Sequence, residues 1–412
     1  MKRPTITKSI IKPMSPTERK AVFALASIFS LRMFGLFMLL PVLAVYADEL
    51  TGTTPVLLGL ALGVYGLTQA IFQLPFGMLS DRIDRKKVIA CGLIIFAAGS
   101  IIAALSDSIE WLIIGRVVQG AGAISAAVLA LNADLTRSEQ RTKSMAIIGI
   151  SIGFTFLVSL ILAPVLQSIM GVDGLFWLIA VLAVMAILVL YKVVPGVVPS
   201  AERNQHAPIR EQIKGALKNS QLMQLNFGIL TLHLVLTALF LVLPNLLITQ
   251  SGLSLSEHWK LYTPILLISV LGMMPFVIAG SKPKLVSIAY RLAISLLLIA
   301  LAALVIGRDH SLVWLLVSVT LLFSAFNALE SLLPSLVSQL APANSKGTAI
   351  GIYNTFQFSG MFLGGLAGGW ILGMQGVTGV FVFCSIAVFG WLLVSCFTTH
   401  FNLTKNNRNW SA

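Results

Sequence analysis

One acid and one histidine stand out because both lie inside long apolar stretches. Glu330 is the only carboxylate well within such a stretch, and His233 lies near the middle of another. Burial favours the neutral form of a carboxyl, which suits reversible proton binding, and an imidazole changes charge near neutral pH. These residue types favour a proton-binding site in which His233 relays or shares the proton of Glu330. The alternative for each is a packing role, with the side chain held by hydrogen bonds to neighbouring helices.

Two arginines also lie in apolar stretches, namely Arg32 and Arg116. A guanidinium stays charged and offers only donors, so a buried one needs acceptors. Arg32, near the middle of its stretch, is suited to bind an anionic group of a substrate or to respond to Glu330, and pairing with backbone carbonyls is the alternative. Arg116 is shallower and either assists proton transfer or locks helices through a salt bridge.

The stretches that carry these residues are long enough to cross a membrane. Of the 412 residues 57% are hydrophobic and 10% are charged, whereas about a quarter of the residues in soluble domains are charged. A helix needs roughly 20 apolar residues to span a bilayer. The sequence therefore predicts an all-α membrane protein with twelve spans, at 21–47, 55–79, 87–106, 109–135, 142–168, 173–194, 221–247, 258–280, 284–307, 311–336, 346–374 and 377–400.

The distribution of positive charge predicts the orientation of these spans. Lys and Arg concentrate in short cytoplasmic loops of membrane proteins. With both termini in the cytoplasm, all 28 Lys and Arg residues fall at or near that side except Lys260, Arg308 and the two arginines within spans. The net charge of +13 is therefore a topology signal. It gives no reason to expect a nucleic-acid partner, and we expect a multi-pass protein of the inner (cytoplasmic) membrane.

The two halves of the sequence resemble each other. A shift of 203 positions places Pro41 on Pro244, Gly77 on Gly280 and Lys143 on Lys346. Membrane transporters are often built from such repeats, with the substrate site where the repeats meet. We expect two pseudo-symmetric six-helix bundles, 1–194 and 221–412, joined by a cytoplasmic linker, 195–220.

Two motifs resemble the signatures of a known family. The segment 77–87, Gly-Met-Leu-Ser-Asp-Arg-Ile-Asp-Arg-Lys-Lys, is similar to the loop between helices two and three of the major facilitator superfamily, except that Asp84 replaces the usual glycine. Asp tolerates a left-handed backbone, which would preserve the turn. The segment 116–122, with Arg116, Gln119, Gly120 and Gly122, resembles the fourth-helix signature. The resemblance implies the twelve-helix major facilitator fold.

Within that superfamily the sequence resembles the drug/proton antiporter-like branch, and most of all the YajR group, in the phrases 32–35, 40–43 and 330–337. The fifth-helix antiporter signature is only partly present, as Gly149, Gly153 and the pair 163–164. Members of the group often carry a small cytosolic domain after the last helix. We expect this chain, which ends at Ala412, to lack that domain.

The resemblance also implies a latch between the bundles, formed by Gly77, Asp81, Arg85 and Asp134. Asp81 is expected at the start of the eleventh helix, near Asn344 and Ser345, where the positive end of a helix dipole stabilises a carboxylate. Arg85 would bridge Asp81 and Asp134 and hold the outward-open state. The alternative is that these are solvated loop charges. The resemblance further places helices seven and ten, with His233 and Glu330, around a central cavity.

These observations predict a monomeric, proton-coupled secondary transporter that exports a small solute or drug-like compound by alternating access. The alternative is a proton-linked importer or facilitator of a small metabolite. No HExxH pattern, convergent nucleophile set or phosphate-binding G-x-x-x-x-G-K-[ST] loop occurs in the sequence, which disfavours an enzyme and an ATP-driven pump. The three cysteines show no metal-binding spacing, so we expect neither a metal nor another cofactor, with the proton gradient as the energy source.

Overall fold

The structure, a computed structural model, describes residues 13–46, 50–196, 209–307, 311–342 and 345–397, without the side chains of Asp81, Ser138, Thr142, Ile209 and Arg210. Within these ranges the chain forms helices and no strand. The helices are α1 (Pro16–Met38), α2 (Leu40–Tyr46), α3 (Pro55–Arg82), α4 (Arg85–Ala104), α5 (Ile109–Ala121), α6 (Ser125–Leu135), α7 (Ser138–Lys192), α8 (Ile209–Lys218), α9 (Ser220–Phe240), α10 (Leu243–Ser251), α11 (Trp259–Gly280), α12 (Val286–Ile306), α13 (Leu312–Leu340) and α14 (Lys346–Phe397).

Twelve membrane spans follow from ten apolar helical stretches, because two of the ten have double length. The 55 residues of α7 would extend about 80 Å as a straight helix, far beyond a hydrocarbon core of about 30 Å. Gly171 (φ 69°, ψ 178°) breaks α7, and Gly376 (φ 66°, ψ −164°) breaks α14. Both glycines have the positive φ that favours this residue type. Each long helix is therefore two spans joined by a tight turn, and the predicted fold class is confirmed.

Three further spans consist of two helices each. The first span breaks at Leu39, between α1 and α2, and the seventh breaks between α9 and α10. The second helix of the first span begins at Leu40, and that of the seventh at Leu243, which is the same shift of 203 positions that relates the sequences. Pro41 and Pro244 stand one residue after these starts, where a missing backbone N–H costs nothing. The fourth span is broken at 122–124.

A short helix lies in the stretch predicted as a plain linker. Helix α8 follows residues 197–208, which lie outside the described ranges. It is polar and amphipathic, with Ala216 buried. The hydroxyl of Thr348, in α14, donates a hydrogen bond of 2.7 Å to Gln212 Oε1. Helix α8 is therefore attached to the start of α14.

The two halves are packed tightly at one end of the molecule. We call the end with Arg82, Arg137 and Lys192 the basic end, and the end where Thr51 pairs with Ser108 the far end. Near the far end, α3 and α14 touch through backbone atoms, so that a Cβ at Gly59 would collide with Gly365 O. Asn245 Nδ2 donates to Ala44 O there at 3.5 Å.

The basic end of α14 is not packed in this way. A Cβ added at Gly347 or at Gly351 would meet no atom within 4 Å. The two halves are therefore in backbone contact near the far end, whereas the described atoms leave space around these two glycines at the basic end of α14. Two polar centres lie further along the spans, one in each half.

Candidate functional site

Helix α13 extends further past Glu330 than the sequence suggested. The predicted span ended at residue 336, but α13 continues to Leu340, just before Pro342. Glu330 is therefore ten residues from the helix end, which corresponds to about 15 Å. Pro334 lies within α13 and has no N–H for the Glu330 carbonyl, so the backbone beside this acid lacks one helix hydrogen bond.

His233 and Gln357 face Glu330 from two other helices. His233 Nε2, on α9, lies 4.0 Å from Glu330 Oε2. Gln357 Nε2, on α14, lies 2.8 Å from His233 Nε2 and 3.4 Å from Glu330 Oε1. The amide group therefore bridges the acid and the imidazole. We call these three residues the acid centre.

The acid centre has an unused acceptor at its middle. Glu330 Oε2 is a buried atom with no hydrogen-bond partner, although 35% of the Glu330 side chain is accessible. The Tyr353 hydroxyl, which interacts electrostatically with Glu330, is also buried and unpartnered. Buried polar atoms are nearly always paired in folded proteins. A carboxyl that is partly accessible and short of a donor is suited to take up a proton.

A second polar centre lies in the N-terminal half around Arg32, on α1. Its Nη2 donates to Gln69 Oε1 at 2.5 Å and to Gly122 O at 3.2 Å, and its Nη1 donates to Ser125 Oγ at 3.4 Å. The Gly122 carbonyl is available because the fourth span is broken there. Only 1% of Arg32 is exposed, so the broken span supplies acceptors to a fully buried cation.

Arg116 lies on the other side of Tyr65. Its Nη1 donates to Gln119 Oε1 at 2.7 Å and its Nε to Ala61 O at 3.2 Å. The Tyr65 ring lies between the two cations, 4.9 Å from Arg116 Cζ and 5.8 Å from Arg32 Cζ. Aromatic faces attract cations at such distances. We call Arg32, Tyr65, Gln69, Gln73 and Arg116 the arginine cluster.

The glycines after Arg116 are explained by close packing. A Cβ at Gly120 would collide with Tyr65 O, and a Cβ at Gly122 with Gly92 O. Small residues let membrane helices approach closely. In this segment they bring the broken fourth span against α3 and α4.

At the basic end, Arg85 Nε lies 2.6 Å from Asp134 Oδ2, and Arg85 Nη1 donates to Ser80 Oγ at 3.2 Å. Gly77 faces Ala126, and a Cβ added at Gly77 would lie 3.3 Å from the Ala126 Cβ. The predicted contact of Asp81 with Asn344 lies outside the described residues.

The expectation of a left-handed backbone at Asp84 is wrong. Its φ is −59° and its ψ 123°. The Asp84 carboxylate instead accepts from the backbone amides of Lys86 at 2.8 Å and Lys87 at 3.2 Å. It is the N-cap of α4, a position that Asp favours.

The structure thus brings His233 to Glu330, Arg32 to Arg116 through Tyr65, and Arg85 to Asp134. It shows no ion pair between Arg32 and Glu330. Sequence reasoning missed Gln69 and Gln357. The feature that could have identified them is that each is a polar amide inside an apolar span. Among the described side chains, no three His, Cys, Asp or Glu residues form a group that could hold a metal ion.

Comparisons with known proteins agree with this architecture. The inner membrane transport protein YajR of Escherichia coli is 45% identical over 383 residues, which cover 93% of this chain and 84% of that protein. The quinolone resistance protein NorA of Staphylococcus aureus is 33% identical over 141 residues, 34% of this chain and 36% of that protein. A bacterial homologue of the human lysosomal transporter Spinster, solved in an inward-facing and occupied conformation, superimposes with a TM-score of 0.75 at 14% identity, covering 93% of this chain and 97% of that one.

The family-level comparison covers most of the chain. The Major Facilitator Superfamily profile matches residues 25–365, a range that includes both the arginine cluster and the acid centre. The chain therefore belongs to the Major Facilitator Superfamily, and it is a multi-pass membrane transporter and not an enzyme.

Proposed function

We propose that the chain is a proton-coupled secondary transporter that exports a small solute by alternating access. The observation that carries the proposal is Glu330, a carboxylate at mid-depth with one oxygen buried and unpartnered and with His233 4.0 Å away. Proton binding drives transport only if proton and solute bind the two shapes of the protein with different affinities. An acid on α13 that contacts α9 and α14 through His233 and Gln357 is placed to have such a difference.

The neighbours of Glu330 suggest how a proton changes the contacts among α9, α13 and α14. Without a proton, Glu330 accepts from Gln357, which also bridges to His233. With a proton, Glu330 gains an O–H donor, for which a neutral His233 Nε2 is the acceptor. The His233 nitrogen can then no longer accept the hydrogen bond from Gln357. The proton thereby replaces a contact between α9 and α14 by a contact between α9 and α13.

We propose that the basic end faces the cytoplasm of a cell with an inner membrane, with both termini on that side and one chain as the working unit. The positive charge at this end supports the orientation, and a relative 45% identical is named as an inner membrane protein. In this orientation the backbone contact between α3 and α14 lies toward the outside. An exported solute would enter from the cytoplasmic side.

Export is supported by the local similarity to a drug-resistance protein, whereas the fifth-helix antiporter signature, with Gly149 and Gly153, is incomplete. Counterflow in proteoliposomes, with and without an imposed pH gradient, tests it. The solute is chosen by thermal-shift screening of the purified protein at two pH values. Accumulation of the solute on the acidic side of the membrane, against its own gradient, supports proton-driven export, whereas accumulation on the side opposite the acid supports a proton-linked importer. Flux that ignores the pH gradient supports the facilitator alternative instead.

The variant Glu330→Gln tests the proton site directly. It keeps the size and polarity of the side chain and removes the titratable group. We expect it to abolish proton-driven transport while solute exchange at equal pH continues. Glu257→Gln, at an exposed far-end ion pair with Lys260, is the matched control and should behave as wild type. Unchanged proton-driven transport in Glu330→Gln would make the assignment wrong.

A further inference from the structure

The arginine cluster contains more hydrogen-bond donors than acceptors. Three of its polar atoms are buried without a partner, namely Arg32 Nε, Tyr65 Oη and Gln73 Nε2. The side chains that carry them are all 1% exposed or less. Buried donors are nearly always satisfied in folded proteins. Three unsatisfied ones in a single cluster indicate that an acceptor binds there.

The direction of the hydrogen bonds in this cluster is fixed by chemistry. Arg32 can only donate, so Gln69 must present its oxygen to it, as the bond of 2.5 Å shows. The amide nitrogen of Gln69 must then face the oxygen of Gln73, at 3.2 Å. The nitrogen of Gln73 is therefore the free end. Exchanging the amide atoms would leave Arg32 without this acceptor, so the surplus of donors follows from the arginine.

The charges in the cluster are also unbalanced. Among the described residues, neither Arg32 nor Arg116 forms an ion pair with a carboxylate, and their acceptors are the neutral oxygens given above. The rings of Tyr65 and Phe96 attract Arg32 but carry no negative charge. Ionisable groups within a membrane normally pair with one another or serve a pathway. Two buried cations at mid-depth therefore favour a ligand that brings the negative charge.

We infer that the arginine cluster binds the carboxylate of an aromatic organic acid, and that such acids are the solutes of this transporter. A carboxylate offers only acceptors and can receive a fork of donors from an arginine. Phe96 and Phe358 both lie edge-on to Tyr65, each with ring centroids 6.4 Å away, and offer an apolar surface for the rest of the ligand. This inference rests on the proposed function, because the solute must reach the seam between the halves.

The position of the cluster agrees with such a role. Tyr65 belongs to the N-terminal half, and the ring that covers it, Phe358, belongs to the C-terminal half. The cluster is thus covered while the halves are closed at the far end. It becomes accessible from that end only when α3 and α14 separate. The same movement would release a bound acid to the far side.

Binding of organic acids to purified protein in detergent tests the inference. The probes are salicylate, benzoate and 3-phenylpropionate, and the control is salicylamide, which has the size of salicylate without its charge. Thermal shift and titration calorimetry at constant ionic strength are the readouts. We expect at least one of the three acids to raise the Tm in a saturable way, and salicylamide to have no effect.

Two conservative variants assign the binding to the cluster. Tyr65→Phe removes the unpartnered hydroxyl and Gln73→Leu the unpartnered amide, and each should weaken acid binding about tenfold, the effect of one lost charge-assisted hydrogen bond. Tyr191→Phe, at an exposed tyrosine of α7, is the matched control. No response to any of the three acids, an equal response to salicylamide, or wild-type affinity in both cluster variants would overturn the inference.

The proposed function can fail independently of this result. Glu330→Gln leaves the arginine cluster intact and should still bind the acids in a saturable way, with an affinity that no longer depends on the protonation of residue 330. If the acids bind but Glu330→Gln retains proton-driven transport, the proton assignment is wrong and the anion site stands. If Glu330→Gln loses proton-driven transport of another solute while no acid binds, the anion site is wrong and the proton assignment stands.

Discussion

Phe358 of α14 lies edge-on against Tyr65 of α3, with ring centroids 6.4 Å apart and ring planes at 70°. The residue before Phe358 is Gln357, whose amide bridges His233 and Glu330. Two consecutive residues of one helix therefore contact the arginine cluster of one half and the acid centre of the other. A movement of α14 relative to α9, α13 and α3 changes both contacts, which gives a physical route from proton binding to the solute site.

Phe358→Leu should weaken this connection. The substitution removes the ring contact with Tyr65 and leaves Gln357 in place. Coupling between two sites in a protein typically changes affinity 5–150-fold. We therefore expect the ratio of solute affinities at the two pH values to fall, in the variant, to about a third of the wild-type ratio or less. Titration calorimetry at pH 6 and pH 8 measures it. The control is Phe389→Leu, at an exposed phenylalanine of α14, and equal pH effects in the two variants would contradict the connection.

Gly365→Val should hold the far end open. A Cβ at this position would meet Gly59 O and lie 2.9 Å from Gly63 Cα, and neither backbone can yield without separating α3 from α14. We expect several-fold faster maleimide labelling of a cysteine placed at Leu62, which is 1% exposed, in a background without the native cysteines. Gly351→Val, where an added Cβ meets open space, should label as wild type. Slow labelling in both variants would show that the seam closes in another way.

Glu18→Ala should lower the stability of the N-terminal half. The Glu18 carboxylate, 7% exposed, accepts from Ser15 N at 2.8 Å, from Arg137 N at 2.9 Å and from Arg137 Nε at 3.0 Å. It therefore ties the start of α1 to the α6–α7 connection. The Arg137 side chain is 45% exposed, so loss of this acceptor costs about 1 kcal/mol, and we expect the Tm in detergent to fall by a few degrees. Glu211→Ala, at an exposed acid of α8, is the control that should leave the Tm unchanged.

Much of the architecture could be predicted from the sequence because apolar length is a local property. The twelve spans follow from the stretches themselves, although in α7 and α14 a single glycine replaces a polar loop. The length of helix after Glu330 was underestimated because the polar residues after Pro334 resembled a span end. The helix in fact continues to Leu340, since Pro334 leaves enough hydrogen bonds on either side for the helix to persist.

The candidate sites could be predicted only in part, because their partners come from distant segments. Glu330 and Arg32 stand out as charges in hydrocarbon. Gln357 does not, since an uncharged amide has little effect on the hydropathy of its span and its two partners lie 124 and 27 positions away. The role of Asp84 was misjudged because the family pattern suggested a glycine turn, whereas the carboxylate is a helix cap.

Asp134→Asn should loosen the basic end of the N-terminal half. Arg85 is 8% exposed and Asp134 25%, and the two are 2.6 Å apart, so the variant removes the negative charge from a largely buried ion pair. We expect a loss of about 1–3 kcal/mol, less than for a fully buried pair, seen as a lower Tm in detergent. Asp84→Asn is the matched control, because Asn caps a helix about as well as Asp. If the two variants have the same Tm, the ion pair contributes nothing beyond a surface charge.

A lower Tm in Asp134→Asn alone, with faster labelling of a cysteine at Gly351, would show that the ion pair also limits how far the basic end opens.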